Sequence, residues 1–254
     1  MPTLRYDRII WVLFFSIVGI VLYSAVLRKR TSFADSVLVN VIALENGEKL
    51  ITENDVRQAL MRSFGNTLEG TELKRLEVER VEKVLEEDPF VENADSYVDQ
   101  NNVLHIRIEQ RAPMLRVLDN SGGNYYIDEK GVKMPPSRNF TAHVLVATGN
   151  INPYTADFRQ KKRHALKDLM TLTETLNKDK FLRDFIQQIH VNSAGEFVLV
   201  PLIGDQQILL GSIRRLDDKL NRLKTFYKEA MPYTGWRKYH TINLKYKGQI
   251  VCKK

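Results

Sequence analysis

The residue types that most often carry chemistry are few and scattered in this chain. Five histidines occur in 254 residues, none at the spacing of a zinc site: His105, His143, His164, His190 and His240. The single cysteine, Cys252, has no intrachain partner for a disulfide and lies in no nucleophile motif. The acidic run Glu86-Glu87-Asp88 could bind a cation, but it lies at a predicted helix end, where solvated carboxylates are the simpler interpretation. The sequence therefore predicts a non-enzymatic protein with no cofactor and no metal.

The N-terminal region carries a long apolar run. Residues 9–27 form 19 consecutive positions without a charge, between Arg5 and Arg8 on one side and the cationic residues 28–30 on the other. A helix of that length reaches about 28 Å, close to the roughly 30 Å hydrocarbon core of a bilayer. The run predicts a single transmembrane helix; a cleavable signal peptide is the alternative, although its apolar region is usually only about 7–15 residues long. Because cations flank both ends, the positive-inside rule leaves the orientation open.

Charge is distributed unevenly along the chain. The formal charge of the whole sequence is +7, and residues 1–30 contribute +4 of it through five Lys/Arg and one Asp. Much of the basic balance therefore belongs to the membrane flanks rather than to a nucleic-acid surface. Farther along, residues 69–95 carry ten acidic and four basic side chains, whereas residues 211–254 carry twelve basic and three acidic ones. This asymmetry indicates either two different contact surfaces or two solvated faces.

The first folded region reads as a β-α-α-β-β unit of about 75 residues. Residues 37–42 are rich in β-branched side chains and predict a strand. Thr52 and Asp55 resemble a capping box that opens a helix, which Gly65 would end after Phe64. A second helix over 77–87 and two strands over 91–98 and 103–110 complete the unit.

The second region is richer in strands. Six short strands are predicted, over residues 114–118, 124–127, 143–147, 186–191, 196–200 and 207–210. A helix is predicted over 155–176, and an apolar stripe over 213–230 predicts another that ends at Pro232. A final strand is predicted over 240–246, running on through Ile250 and Val251.

Four short motifs resemble those of the FtsQ/DivIB family of bacterial cell-division proteins. Residues 88–94 resemble the family's Pro-x-Val-x-x-Ala pattern at the start of a strand, and residues 109–113 match its Glu-x-Arg-x-Pro junction between domains. Residues 126–131 resemble its Tyr-Ile-Asp-x-x-Gly hairpin. Residues 242–248 resemble its closing strand, with Asn243 where the family carries an acid. Each motif is short, but their order and spacing extend over nearly the whole chain.

The resemblance implies an α+β fold with a single N-terminal transmembrane helix, a small POTRA-like domain and a larger mixed β-sheet domain with flanking helices. It also implies a type II protein of the bacterial inner membrane, with the tail cytoplasmic, the bulk periplasmic and a location at the division site. The implied segments are a tail over 1–8, the span over 9–27, a linker over 28–36, the POTRA-like domain over 37–111 and the β domain over 112–254.

The family's function would be that of a non-enzymatic divisome scaffold, which links early and late division proteins and helps control septal wall synthesis. The implied partners are FtsB/DivIC-like and FtsL-like single-pass proteins. An exposed sheet edge can take up a partner strand, so the expected partner-binding residues lie near the C-terminal strand: Trp236, Tyr246, Gly248 and Val251. Lys245 and Lys247, with Arg237 and Lys238 nearby, would favour an acidic partner.

Three alternatives remain open at this stage, one of which is a wall-cutting enzyme, which would need a cleft with convergent carboxylates that the sequence does not reveal. Trp236 and Tyr246 could simply close the hydrophobic core instead of binding a partner. POTRA units also occur in secretion and outer-membrane assembly proteins, so the alternative function is a membrane-anchored POTRA-containing adaptor for polypeptide transport or outer-membrane assembly. In the POTRA-like domain itself, the strand over 37–42 is a second expected docking site.

Overall fold

The structure, a computed structural model, describes residues 6–30, 32–236 and 238–254, with side chains at residues 11 and 13–24 of the first segment. The described chain divides into two compact units, Met1–Gln110 and Arg111–Lys254.

Helix α1, Tyr6–Arg30, opens the described chain. Within the described residues, no helix combines the length and mean hydropathy that crossing a membrane requires. Residues 1–5 of the predicted tail lie outside the described residues, as do the side chains of residues 9, 10, 12 and 25–27 of the predicted span, so both stay predictions.

The first unit has the predicted β-α-α-β-β order. Its elements after α1 are β1 Ser36–Ile42, α2 Glu53–Phe64, α3 Val78–Glu86, β2 Val91–Val98 and β3 Val103–Gln110. Among the described residues they form a three-stranded sheet in the order β1-β3-β2. Strand β1 runs parallel to β3, and β2 runs antiparallel to it. The capping box is confirmed, since Thr52 Oγ1 accepts from Asp55 N–H at 3.2 Å while Asp55 accepts from Thr52 N–H at 2.9 Å.

Apolar side chains on one face of this sheet pack against α2 and α3. The core of the unit includes members from each layer: Val37, Val39, Val41, Val56, Leu60, Val81, Leu85, Leu104, Ile106 and Ile108. At the end of β3, the buried side chain of Gln110 holds the segment that leaves β1. Its Oε1 accepts from Leu50 N–H at 2.6 Å, and its Nε2 donates to Ile42 C=O at 2.6 Å.

The second unit contains a larger mixed sheet with flanking helices. Its elements are β4 Pro113–Asp119, β5 Asn124–Asp128, β6 Lys133–Met134, β7 Leu145–Gly149, α4 Ala165–Lys178, α5 Lys180–Phe185, β8 Ile186–Val191, β9 Phe197–Pro201, β10 Gln207–Gly211, α6 Leu216–Thr225, α7 Met231–Thr234, β11 Thr241–Asn243 and β12 Val251–Lys253. In the described chain these strands form a nine-stranded sheet, ordered β12-β11-β10-β9-β8-β7-β4-β5-β6. The predicted α+β class, with a small sheet followed by a larger mixed one, is confirmed.

The helix predicted over 155–176 begins ten residues late, at Ala165, and a short 3₁₀ turn, Phe158–Gln160, precedes it. Arg159, Arg163 and Lys167 would stand four residues apart on one helix face, where like charges repel. Phe158, only 1 % exposed, instead enters the core from the turn. The prediction was therefore wrong for the first part of this segment.

The predicted helix end at Pro232 is also corrected. Helix α6 passes through a π-helical turn, Phe226–Ala230, into α7, Met231–Thr234, where Pro232 occupies the first turn. The Met231 N–H donates to Phe226 C=O, so the helical path continues through Pro232, which itself has no N–H to donate.

Candidate partner-binding edge of the larger sheet

The last strand predicted from the sequence is in fact a hairpin. Strand β11 pairs in parallel with β10, and β12 returns antiparallel to β11, with Ile242 opposite Cys252. The prediction that one strand runs from 240 to 246 and on through Val251 was wrong, because the chain reverses at the Lys247-Gly248 turn. We call β11, β12 and the turn between them the edge hairpin. Within the described sheet, β12 is an outermost strand.

The backbone of β12 has one side paired and one side directed away from the sheet. The Lys253 carbonyl oxygen accepts from His240 N–H at 2.9 Å, so the peptide groups of Lys253 face β11. Peptide direction alternates along a strand. It follows that the groups of Val251 also face β11 and that those of Cys252 face outward, where an incoming strand would pair.

Side chains of β12 alternate in the same way. Val251 is 42 % exposed and Lys253 is exposed, whereas Cys252 is half-buried and packs against the core of the unit. Burial raises the pKa of the Cys252 thiol. A thiol with a raised pKa forms little of the reactive thiolate. The side chain of Cys252 therefore packs against the core, while its backbone N–H and C=O are available to hydrogen-bond an incoming strand.

The turn of the edge hairpin presents the second aromatic candidate. Tyr246 lies in a bend and is 51 % exposed, and Lys247 beside it is exposed. Gly248 has φ +71°, a conformation that glycine adopts without the steric cost a side chain would bring. Tyr246 is therefore displayed by a turn rather than by the strand on which the sequence placed it.

Arg222 of α6 fastens this turn to the rest of the unit. One guanidinium nitrogen, Nη1, donates to Gln249 C=O, while Nη2 lies 3.4 Å from Leu244 C=O and 3.1 Å from the Asp218 carboxylate. The two carbonyls stand at the start and the end of the turn. A single side chain thus holds the outgoing and returning segments of the edge hairpin together.

A second fastening is ionic. Lys245 Nζ lies 2.7 Å and 3.0 Å from the two carboxylate oxygens of Glu196. The hydrogen bond from Lys245 holds the pKa of Glu196 below its ordinary value. Lys245, which the sequence assigned to an acidic partner, is therefore already paired within the unit. Arg237, assigned with it, lies outside the described residues.

Trp236 lies upstream of the edge hairpin and faces both core and solvent. Its ring centroid is 5.8 Å from that of Tyr227, and its carbonyl oxygen accepts from Gln206 Nε2. Tyr227 is 2 % exposed and packs on Phe185, whereas Trp236 remains 38 % exposed.

The structure therefore brings Tyr246, Gly248 and Val251 into one hairpin and leaves Trp236 on the segment before it. Sequence reasoning missed Arg222, Glu196 and the outward backbone of Cys252. One signal for Arg222 was available, because Asp218 lies four residues earlier on the same helix face.

Comparison with family models covers both units. The model described as FtsQ/DivIB, C-terminal related, matches residues 112–253, and the model described as POTRA-like domain matches residues 35–109. No curated protein matches the chain. The first match alone extends over more than half of the sequence and includes the whole edge hairpin. The chain belongs to the FtsQ/DivIB family.

Proposed function

We propose that this protein is a non-enzymatic scaffold of the bacterial division machinery that links early and late division proteins. In this proposal it binds a partner by β-strand addition to β12. The observation that carries the proposal is the outward-facing backbone of Cys252 on an outermost strand, beside the exposed Val251 side chain. An edge of this kind offers N–H and C=O groups to an incoming strand, and alternate side chains provide specificity.

The chemistry of the edge favours an acidic, partly apolar partner segment. Lys247, Lys253 and Lys254 are exposed around β12. Tyr246 and Val251 add exposed apolar surface between them. An acidic partner would be steered by these cations and fixed by backbone pairing. FtsB/DivIC-like and FtsL-like single-pass division proteins are the partners that we propose for this edge.

The first unit offers a second edge, although a less open one. Strand β1 is outermost in its sheet, and Leu38 on it is 53 % exposed. However, Arg57 Nη2 already donates to the Val37 carbonyl oxygen at 2.6 Å, and the guanidinium pairs with Glu69 at 3.1 Å. Because this acceptor is occupied, we assign the main partner contact to β12 and a subsidiary one to β1.

We also propose that residues 9–27 anchor the chain in the inner membrane, with the tail cytoplasmic and both units outside. The uncharged run supports this assignment. So does the exposure, by 37–68 %, of ten large apolar side chains of α1: Trp11, Leu13, Phe14, Phe15, Ile17, Val18, Ile20, Val21, Leu22 and Tyr23. Large apolar surface on every side of a helix is typical of a segment that contacts lipid.

The sharpest test replaces the residue whose backbone faces outward. Cys252→Pro removes the outward N–H and places a ring where the partner strand would lie. We expect it to weaken binding of the full chain to the purified extracytoplasmic segment of an FtsB/DivIC-like protein by about tenfold or more, since one backbone hydrogen bond is worth about 0.5–1.5 kcal/mol before the steric clash. Cys252→Ala is the matched control and should bind normally. Equal affinity of the two variants would exclude strand addition at β12.

Two further substitutions separate binding from folding. Val251→Pro removes an N–H that faces β11, so it should damage the edge hairpin itself and is not a clean block of the edge. Tyr246→Ala removes a half-exposed ring from a bend, and we expect weaker partner binding with little change in stability.

The POTRA-like match favours one other function, a membrane-anchored adaptor for polypeptide transport or outer-membrane assembly. Depletion of the protein in its native cells distinguishes the two. Filaments with unfinished septa would support the division scaffold, whereas normal division with envelope or secretion defects would support the adaptor.

A further inference from the structure

A strongly basic segment joins β7 to α4 in the second unit. Residues 157–167 contain five Lys/Arg and a single acid, Asp157. The cations are Arg159, Lys161, Lys162, Arg163 and Lys167. Arg159 lies on the 3₁₀ turn, and residues 161–163 lie in a bend, so these four cations are gathered on one short loop, while Lys167 lies in the first turn of α4.

The loop is fixed by an aromatic plug. Phe158 is 1 % exposed, and its ring lies 5.8 Å from Tyr154 and 5.7 Å from His164. The Tyr154 hydroxyl donates to Gly131 C=O at 3.1 Å. These contacts seat the loop on the turn between β5 and β6.

Arg159 joins the loop to that turn. Its Nη2 donates to Glu129 C=O, and a Cβ built on Gly131 would lie only 2.8 Å from its Nε. Gly131 thus gives the guanidinium room to lie against the turn, which also brings the exposed Lys130 beside the loop. We call Lys130, Arg159, Lys161, Lys162 and Arg163 the basic surface.

The nearby acids neutralise only part of this charge. Asp157 lies 3.4 Å from Lys161, and Glu174 lies 3.6 Å from Arg159. Lys162 and Arg163 are exposed in the bend of the loop. The pKa of His164 is lowered, first by burial and second by the positive charge of Lys161, while Asp157 and Asp168 act in the opposite direction.

The surface offers charge without apolar contact. Phe158 is the one large apolar residue in the sequence from 157 to 164, and it is buried. A protein partner would need an apolar core to its interface. A dense array of phosphates needs only cations held at its surface.

We propose that the basic surface binds the phosphate headgroups of an anionic bilayer and tethers the second unit to the membrane. We assign the phosphate groups to lipids rather than to soluble molecules because of the proposed anchor at residues 9–27. The anchor would keep the phosphates of the bilayer at high effective concentration near the basic surface. Each cation near an anionic bilayer strengthens contact by about fivefold.

The test uses the full chain in vesicles, with a fluorescent reporter on the loop. Gln160→Cys, in a Cys252→Ser background, carries an environment-sensitive dye at an exposed position between Arg159 and Lys161. The vesicles contain phosphatidylcholine alone or with about one-third phosphatidylglycerol, an anionic lipid. We expect emission to rise only with the anionic lipid and to return to baseline at about 1 M salt, where the Debye length is only about 3 Å.

A charge-matched pair of variants decides the assignment. Lys130→Gln/Lys162→Gln/Arg163→Gln should weaken the contact by roughly a hundredfold, at fivefold per cation. The control, Lys178→Gln/Lys180→Gln/Lys228→Gln, removes three exposed cations elsewhere in the same unit and should leave the contact intact. Equal emission in the two lipids, or equal loss in both variants, would overturn the proposal.

Two further experiments distinguish binding to the lipid from binding to soluble phosphate, and the basic surface from the anchor. If soluble polyphosphate changes the emission on phosphatidylcholine vesicles as strongly as the anionic lipid does, the lipid assignment is wrong. Flotation of the chain with vesicles at about 1 M salt tests the anchor alone. Loss from the vesicles would refute the anchor, while contact specific to phosphatidylglycerol at low salt would still support the basic surface.

Discussion

Replacing Arg222 with methionine is expected to loosen the edge hairpin without altering its outer surface. Arg222 belongs to α6, and its side chain is only 17 % exposed beneath the turn. Methionine keeps much of the aliphatic stem but removes the guanidinium that binds the carbonyls of Leu244 and Gln249. The substitution therefore isolates the clamp from the residues that would touch a partner.

The size of the effect follows from the contacts. A hydrogen bond from a charged donor contributes about 1.5–3 kcal/mol to stability. The contact with the Leu244 carbonyl is long, at 3.4 Å, so it contributes about 1.5 kcal/mol or less. The Asp218 pair is half exposed and adds about 0.3–0.5 kcal/mol. Against this, Gln249 is exposed, so water can replace part of its bond, and Arg222 Nε is buried without a partner among the described residues. We expect a net loss of about 2 kcal/mol.

That loss should be local to the edge hairpin. Amide hydrogen exchange of Thr241–Asn243, Val251 and Lys253 in the full chain is expected to accelerate about 30-fold, because 1.4 kcal/mol corresponds to a factor of ten. Partner affinity should fall with the fraction of molecules in which the hairpin is closed. Arg183→Met is the control, since that arginine is half exposed and pairs only loosely with Asp184 at 3.3 Å. Unchanged exchange in Arg222→Met would refute the clamp.

Two other perturbations test the wider structure. Gln110→Leu should destabilise the first unit by about 2–5 kcal/mol, because the Leu50 N–H and the Ile42 C=O would lose a buried partner; accelerated exchange throughout β1 would confirm it. The Glu196 pKa is held below 4.5 by Lys245, so this pair stabilises the fold fully above pH 4.5 and loses its effect as pH falls through the lowered pKa. In thermal melts, Glu196→Gln should therefore be less stable than the unmodified chain by about 0.2–1 kcal/mol at pH 6, and the difference should shrink as pH falls below 4.5; a difference that stays constant as the pH is lowered would contradict the assignment.

Local signals in the sequence predicted the first unit well. Thr52 and Asp55 satisfy each other's backbone groups within four residues, so the start of α2 needed no tertiary information. The alternating strand over 103–110 is buried on one face, as a sheet that packs against two helices requires. Both features depend on neighbours that are close in the chain, which is why they could be recognised.

Features of the second unit that were missed depend on distant residues. Phe158 lies within the segment that the sequence predicts as helix, but its contacts with the core and with Tyr154 hold it in a turn. The edge hairpin was read as one strand because Ile242, Leu244 and Tyr246 alternate correctly, although Leu244 C=O is bound by Arg222 from another helix. Periodicity shows which side chains are apolar. It does not show that an arginine of a distant helix binds a backbone carbonyl at the point where the chain reverses.

The structure also changes the meaning of the basic C-terminal region. Among the described Lys/Arg in residues 211–254, four donate to carbonyl or carboxylate oxygens of the same unit: Lys219, Arg222, Lys224 and Lys245. Lys219 is 3 % exposed and donates to two backbone carbonyls, while Lys224 pairs with Asp179. The charge available to a partner is thus smaller than the sequence total. Because Lys224 and Lys245 are paired with carboxylates outside residues 211–254, which offset their charge, salt should affect the association rate less than nine excess charges would imply.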